Sequence, residues 1–163
     1  MNTKDTIRRS IEGADKIVAA YLGDLTDADL LVRPVPGANH IAWQLGHLIE
    51  AENMLIGAIV PGVMPKLPEG FAAKHSKETA ASDDPKAFCT KDEYLRLMRE
   101  QRAGTLKALE KISDADLDKP APEKFRAFVP TNVDVFLLAG SHPMMHAGQW
   151  AVTRRKLGRK PLF

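Results

Sequence analysis

A single cysteine, Cys89, occurs in 163 residues, which excludes an internal disulfide framework. A one-sided charge is also missing. Lys and Arg number 23 against 21 Asp and Glu, a net +2 with the signs interspersed, so no nucleic-acid-binding surface is expected. The one basic cluster, Arg154 to Lys160, reads as cations favoured at a helix C-terminus. No apolar run approaches the ~18–20 residues of a membrane span, and no N-terminal stretch is laid out as a secretion signal. A soluble, cytoplasmic protein is therefore expected. Strand signals are nearly absent, since no hairpin turn separates alternating apolar runs. Cys89 reads as a small apolar residue just before a helix start.

What is present suits one domain over residues 1–163. Hydrophobic residues make up 44% and charged residues 27%, enough to bury a core at this length. Four long helices are predicted. The first covers about Thr3 to Gly23, marked by Ile7, Ile11, Ala14, Val18 and Tyr21. The second covers about Asn39 to Val60 and stops at Pro61-Gly62. The third opens on Thr90-Lys91-Asp92-Glu93, a capping box, and continues to about Lys111. The fourth runs from about Thr131 to Leu157, with Gly158 as its cap. The fold class is all-α, a four-helix bundle with a long connection between helices 2 and 3 that serves as a crossover or an active-site cover.

A short internal echo accompanies this pattern. Leu25-Thr26-Asp27-Ala28-Asp29-Leu30 follows the first helix, and Ile112-Ser113-Asp114-Ala115-Asp116-Leu117 follows the third. Each is expected to open a short helical turn, and a histidine-bearing helix comes next in both. Either the chain holds two similar helix pairs, with His47 matching His142, or a common loop device recurs by chance.

Of five histidines, His142 and His146 stand four apart in Ser141-His142-Pro143-Met144-Met145-His146. One helical turn separates them, so both rings can reach a single metal ion. No glutamate lies between them, which excludes the metalloprotease motif. The pair alone also fits two polar residues sharing a face. Helix 2 carries Trp43, His47, Glu50 and Met54 opposite its main stripe of Ile41, Leu45, Leu48, Leu55 and Ile59. Helix 4 shows Leu138, His142, Met145, His146 and Gln149 on one side and Gly140, Met144, Ala147 and Ala151 on the other. If these second faces meet, His47 comes opposite the pair. Pro143 is expected to kink or interrupt helix 4 and to free the carbonyl of Ala139.

These residues also carry a resemblance. Leu25-Thr26 to Leu30, then a P-x-P-G turn, Ile41-Ala42-Trp43 with Leu45-Gly46-His47-Leu48, and His142 to Gln149 followed by Leu157-Gly158 and Pro161 resemble the DinB-like superfamily. The resemblance implies a metal-binding four-helix bundle with His47, His142 and His146 as ligands. Ala147 stands where that family commonly has Arg. Three neutral imidazoles and a water suit Zn²⁺ or Ni²⁺. The resemblance further implies a transferase or hydrolase that activates a low-molecular-weight thiol, or water, against a small-molecule electrophile, in a homodimer. A non-catalytic bundle with a structural metal, or none, is the alternative. Glu50 is a candidate base or imidazole orienter, or else an ion-pair partner. Gln149 is a candidate hydrogen-bonding support of the site. His40 is expected to cap helix 2 or face solvent, and His75 to be solvated. Trp43 and Trp150 are expected as core residues or pocket walls.

Overall fold

A computed structural model describes residues 2–162. The helices are α1 (Thr3–Leu22), α2 (Asp27–Leu30), α3 (Ile41–Ile59), α4 (Phe71–Lys74), α5 (Lys91–Lys111), α6 (Asp114–Leu117) and α7 (Asn132–Lys156), with three short 3₁₀ turns, and there is no strand among the described residues. Local chemistry explains the boundaries. Asn2, Thr26 and Thr90 each form a capping box with an acid three residues on, and at the start of α7 the Asp134 carboxylate accepts from the Thr131 amide at 2.9 Å. Ser113 caps α6 by accepting from the Asp116 amide, so both echoed segments form the short turns expected of them. Gly158, at φ +70°, ends α7 with its amide on Arg155 O and the Arg159 amide on Arg154 O, a paired closure that needs the left-handed conformation.

Side-chain contacts set the helix directions. Gly140 of α7 lies against Ser10 of α1, and Arg154 bonds Tyr21 O and the Asp24 carboxylate, so α1 and α7 run parallel. Gly46 and Tyr94 both meet His75, while Asn53 bonds Gln101, so α3 and α5 are also parallel. Gln44 meets Gln149 and Ile56 lies near Val135, which makes α3 antiparallel to α7. The order is up, down, down, up. Two consecutive parallel helices require a return path, and α3, at 19 residues, is ~28 Å long. The connection from Val60 to Thr90 is therefore a crossover running back along the bundle.

That crossover is docked residue by residue. Asn53 donates to Pro65 O at 2.8 Å, Trp43 Nε1 to Ser76 O at 2.9 Å, and Arg33 to Ala80 O and Ser82 O at 2.8 and 3.0 Å. Backbone polar groups without helix partners thereby find side chains instead of remaining unpaired. His75, expected to be solvated, is 2% exposed. Its Nδ1 bonds Phe71 O at 2.8 Å and its Nε2 bonds Tyr94 Oη at 2.7 Å. The space for its ring is the missing Cβ of Gly46, where a methyl would lie 2.0 Å from His75 Cδ2. His40 does cap α3, its Nδ1 accepting from the Trp43 amide at 3.1 Å, but it is buried and does not face solvent.

The core is split along the axis. One apolar cluster contains Val18, Leu22, Leu45, Tyr94, Leu97 and Trp150; the other contains Ile7, Ile11, Ile56, Leu109, Val135 and Phe136. On each long helix a polar residue separates the two: Asp15, Glu52, Arg102 with Thr105, and His142. Arg102 binds Asp15 Oδ1 at 3.0 Å, Glu52 Oε1 at 2.8 Å and Ala139 O at 3.1 Å, and Thr105 also donates to Glu52 Oε1, at 2.6 Å. Ala139 O is the carbonyl that Pro143, lacking an amide hydrogen, leaves without an intrahelical partner. The expected interruption of helix 4 does not occur. Helix α7 continues from Asn132 to Lys156 through Pro143, and Arg102 takes over the freed carbonyl.

Candidate metal centre

His47 comes from the middle of α3, and His142 and His146 come from successive turns of α7. Their antiparallel helices bring the three rings together at the polar layer. One nitrogen from each lies within 4.8 Å of the others, and the Nε2 atoms of His142 and His146 are 3.2 Å apart. Ring centroids stand 5.1 Å apart for His47–His142 and 5.6 Å for His47–His146. The second faces of the two helices do meet, and they do so at the histidines. Met144, which shares a face with Gly140 and Ala147, and Met145, which shares one with the histidines, are both exposed.

The donor set suits a cation. Gln44 Oε1 accepts from Trp150 Nε1 at 2.8 Å and from His146 Nδ1 at 2.9 Å, while Gln44 Nε2 donates to Asn39 O at 2.7 Å. That pattern assigns the amide orientation and places the His146 proton on Nδ1, leaving a lone pair on Nε2. Two nitrogens bound to one tetrahedral zinc at ~2.0–2.1 Å stand about 3.3 Å apart, close to the separation present. Burial, with repulsion from the neighbouring rings, lowers His142 and His146 to about 4, and burial lowers His47 as well. Neutral imidazole is the ligating form, so the three-histidine cluster can hold a metal ion.

Other residues lie around the cluster. Gln149 is one bond removed from the rings, accepting from Gln44 Nε2 at 3.1 Å. Gln44 itself, three residues before His47, orients His146 directly and was not singled out; its signal is an amide on the histidine-bearing side of a buried helix. Trp43 stacks on His47 with centroids 5.4 Å apart and planes 8° from parallel, forming one wall. Glu50 is partly buried, and burial raises its carboxyl above the usual range, but it stays outside the three-histidine cluster.

All five histidines are lowered from 6.5 with burial as the largest cause, so acid acts on folding through them. The unfolded chain takes protons as pH falls through 6.5, whereas the fold resists them to about 4 at the α7 pair. The histidine contribution is complete above pH 6.5 and is lost on the way down. Asp15, Glu50 and Glu52, raised by burial, take protons more readily when folded and offset part of that loss. Urea midpoints of metal-free protein are expected to fall between pH 7 and pH 5. A flat profile would contradict the burial of the neutral rings.

A profile of the DinB superfamily matches residues 11–150, a span containing all three histidines. No curated protein matches the chain in sequence. Among solved structures, the chain is similar to a conserved protein from Enterococcus faecalis. The TM-score is 0.71 at 18% identity, with 98% of this chain and 99% of that one covered, a likeness that bears on the fold alone. From the extent of the sequence match, this chain belongs to the DinB superfamily.

Proposed function

We propose that His47, His142 and His146 bind a divalent metal, Zn²⁺ or Ni²⁺ by donor type, and that the protein is a metal-dependent transferase or hydrolase. The observation that carries this is the convergence of three neutral imidazoles from two antiparallel helices. Such an ion, with a position left open, lowers the pKa of a coordinated thiol or water and polarises a carbonyl on a small electrophile. Gln44 fixes the ring of His146, Trp43 backs His47, and burial keeps the rings in their neutral form at pH 7. Glu50, with its raised carboxyl, is the proposed base for a proton leaving the nucleophile. The thiol is a low-molecular-weight cosubstrate, since the chain's own Cys89 is held high by burial.

A second reading has one observation in its favour. The rings come from α3 and α7 and meet across their interface, which suits a metal that ties the two helices together. A homodimer belongs to the same proposal; Leu137, Met144, Met145 and Val152 of α7 are exposed apolar residues that a second copy would cover, and sedimentation tests it.

Elemental analysis of wild type and His146→Ala tests the site. About one metal per chain is expected in wild type, with loss of 10-fold or more in affinity for the variant. Equal metal content in both would sink the three-histidine assignment. Chelation of the wild type then separates the readings: collapse of the fold with no exchangeable water or thiol at the ion supports the structural one.

A further inference from the structure

His146 has its partner in Gln44, but His142 has no protein partner beyond its neighbouring rings among the described residues. A metal-binding histidine ordinarily has its second nitrogen bonded, which orients the ring and raises ligand basicity. Beneath His142 lies a cavity of about 10 Å³ between α3 and α7, walled by Leu48, Glu52, Leu55, Val135, Ala139 and His142 among others. This is room for a water molecule, and the walls supply the polar groups a buried water needs. Glu52 Oε1 takes the bonds from Arg102 and Thr105, so Oε2 is the oxygen left for another donor. No buried side-chain nitrogen or oxygen among the described residues lacks a partner, so Oε2 borders accessible space rather than packed apolar atoms.

We propose that a water in this cavity bridges His142 Nδ1 and Glu52 Oε2, making Glu52, held by Arg102, the positioning residue for His142. The inference rests on the three-histidine reading for its purpose but not for its geometry. Water fits because it can serve either state of the ring. Without metal, His142 Nε2–H faces the His146 Nε2 lone pair, and the water donates to Nδ1. Were Nε2 to hold an ion, the ring would keep its one proton on Nδ1, and the water would accept it while donating to the Glu52 carboxylate. Arg102, fixed between Asp15, Glu52 and Ala139 O, keeps the acceptor in place.

Two variants and two readouts test this. Glu52→Gln removes the acceptor's charge, and Val135→Ile fills the cavity while leaving the Glu52–Arg102 pair intact. Zinc affinity, measured by competition with a chelator, is expected to fall 10-fold or more in both. The metal-free Val135→Ile protein should melt near wild type. A high-resolution crystal structure of metal-free wild type should show the water bonded to both residues, and that of Val135→Ile should not. A dry cavity in wild type, or wild-type zinc affinity in Val135→Ile, overturns the proposal even if zinc binds. Should wild type hold no zinc while the bridging water is present, the metal reading falls and the positioning contact stands.

Discussion

Replacing Arg102 with Met is expected to destabilise the protein by ~3–5 kcal/mol, the usual consequence of removing one partner from a buried charge network. The guanidinium ties three other helices together at the polar layer: it binds Asp15 of α1, Glu52 of α3 and the Ala139 carbonyl of α7. Its removal strands two carboxylates and a carbonyl whose own helix cannot supply a donor because of Pro143. Glu52 must then take a proton or draw in water. Burial already raises Glu52, with Arg102 as the largest opposing influence, so losing Arg102 raises it further. The deficit is therefore expected to be largest at neutral pH and to shrink as acid neutralises Glu52. Urea unfolding at pH 7 and pH 5 measures both effects. A loss below ~1 kcal/mol at pH 7 would show the network to be solvated like a surface pair.

The second large effect is expected at Gly46. An alanine methyl there would stand 2.0, 2.1 and 2.3 Å from Cδ2, Cγ and Nε2 of His75. Those distances cannot be relaxed by a small side-chain turn, because the ring is bonded at both nitrogens, to Phe71 O and Tyr94 Oη. Gly46→Ala must push the crossover off α3, leaving polar groups unpaired, at a cost of about 3 kcal/mol or more. Ser76, one residue beyond His75, receives the indole N–H of Trp43, and Trp43 stacks on His47. Tryptophan near-UV signals and metal affinity should therefore change together with the melting temperature. The double variant Gly46→Ala/His75→Ala removes the clash and should recover part of the stability. If Gly46→Ala melts as wild type does, the docking of His75 is wrong.

The roles of Arg102 and Gly46 are set by tertiary packing and not by the periodicity of their own helices. The four long helices were legible because each carries periodic apolar positions and signed ends, as at Thr90 with Glu93 and at Gly158. The three histidines were legible because α3 and α7 each bear an apolar-flanked second face. The burial of His75 was not, since its segment has no period and its space is made by an absent Cβ 29 positions away. A glycine inside a strongly apolar helix was the available signal of close approach. Arg102 lies on a helix whose pattern gives no reason to prefer it over Arg96 or Arg99; the freed Ala139 carbonyl specifies it, and only the packing of α5 against α7 supplies that link.

The parallel pairing of α1 with α7 has a consequence for how the fold is reached. Helix α1 packs more extensively on α7 than any other pair of elements does, although more than a hundred residues separate them. During synthesis α1 emerges first and waits, its apolar stripe of Ile7, Ile11, Ala14, Val18 and Leu22 uncovered, until α7 has been made. The same late element brings two of the three histidines, so α1 docking and site assembly fall at one moment. Translation intermediates ending before α7 should depend on chaperones, and pulse-labelled hydrogen exchange should show α1 protected no earlier than α7.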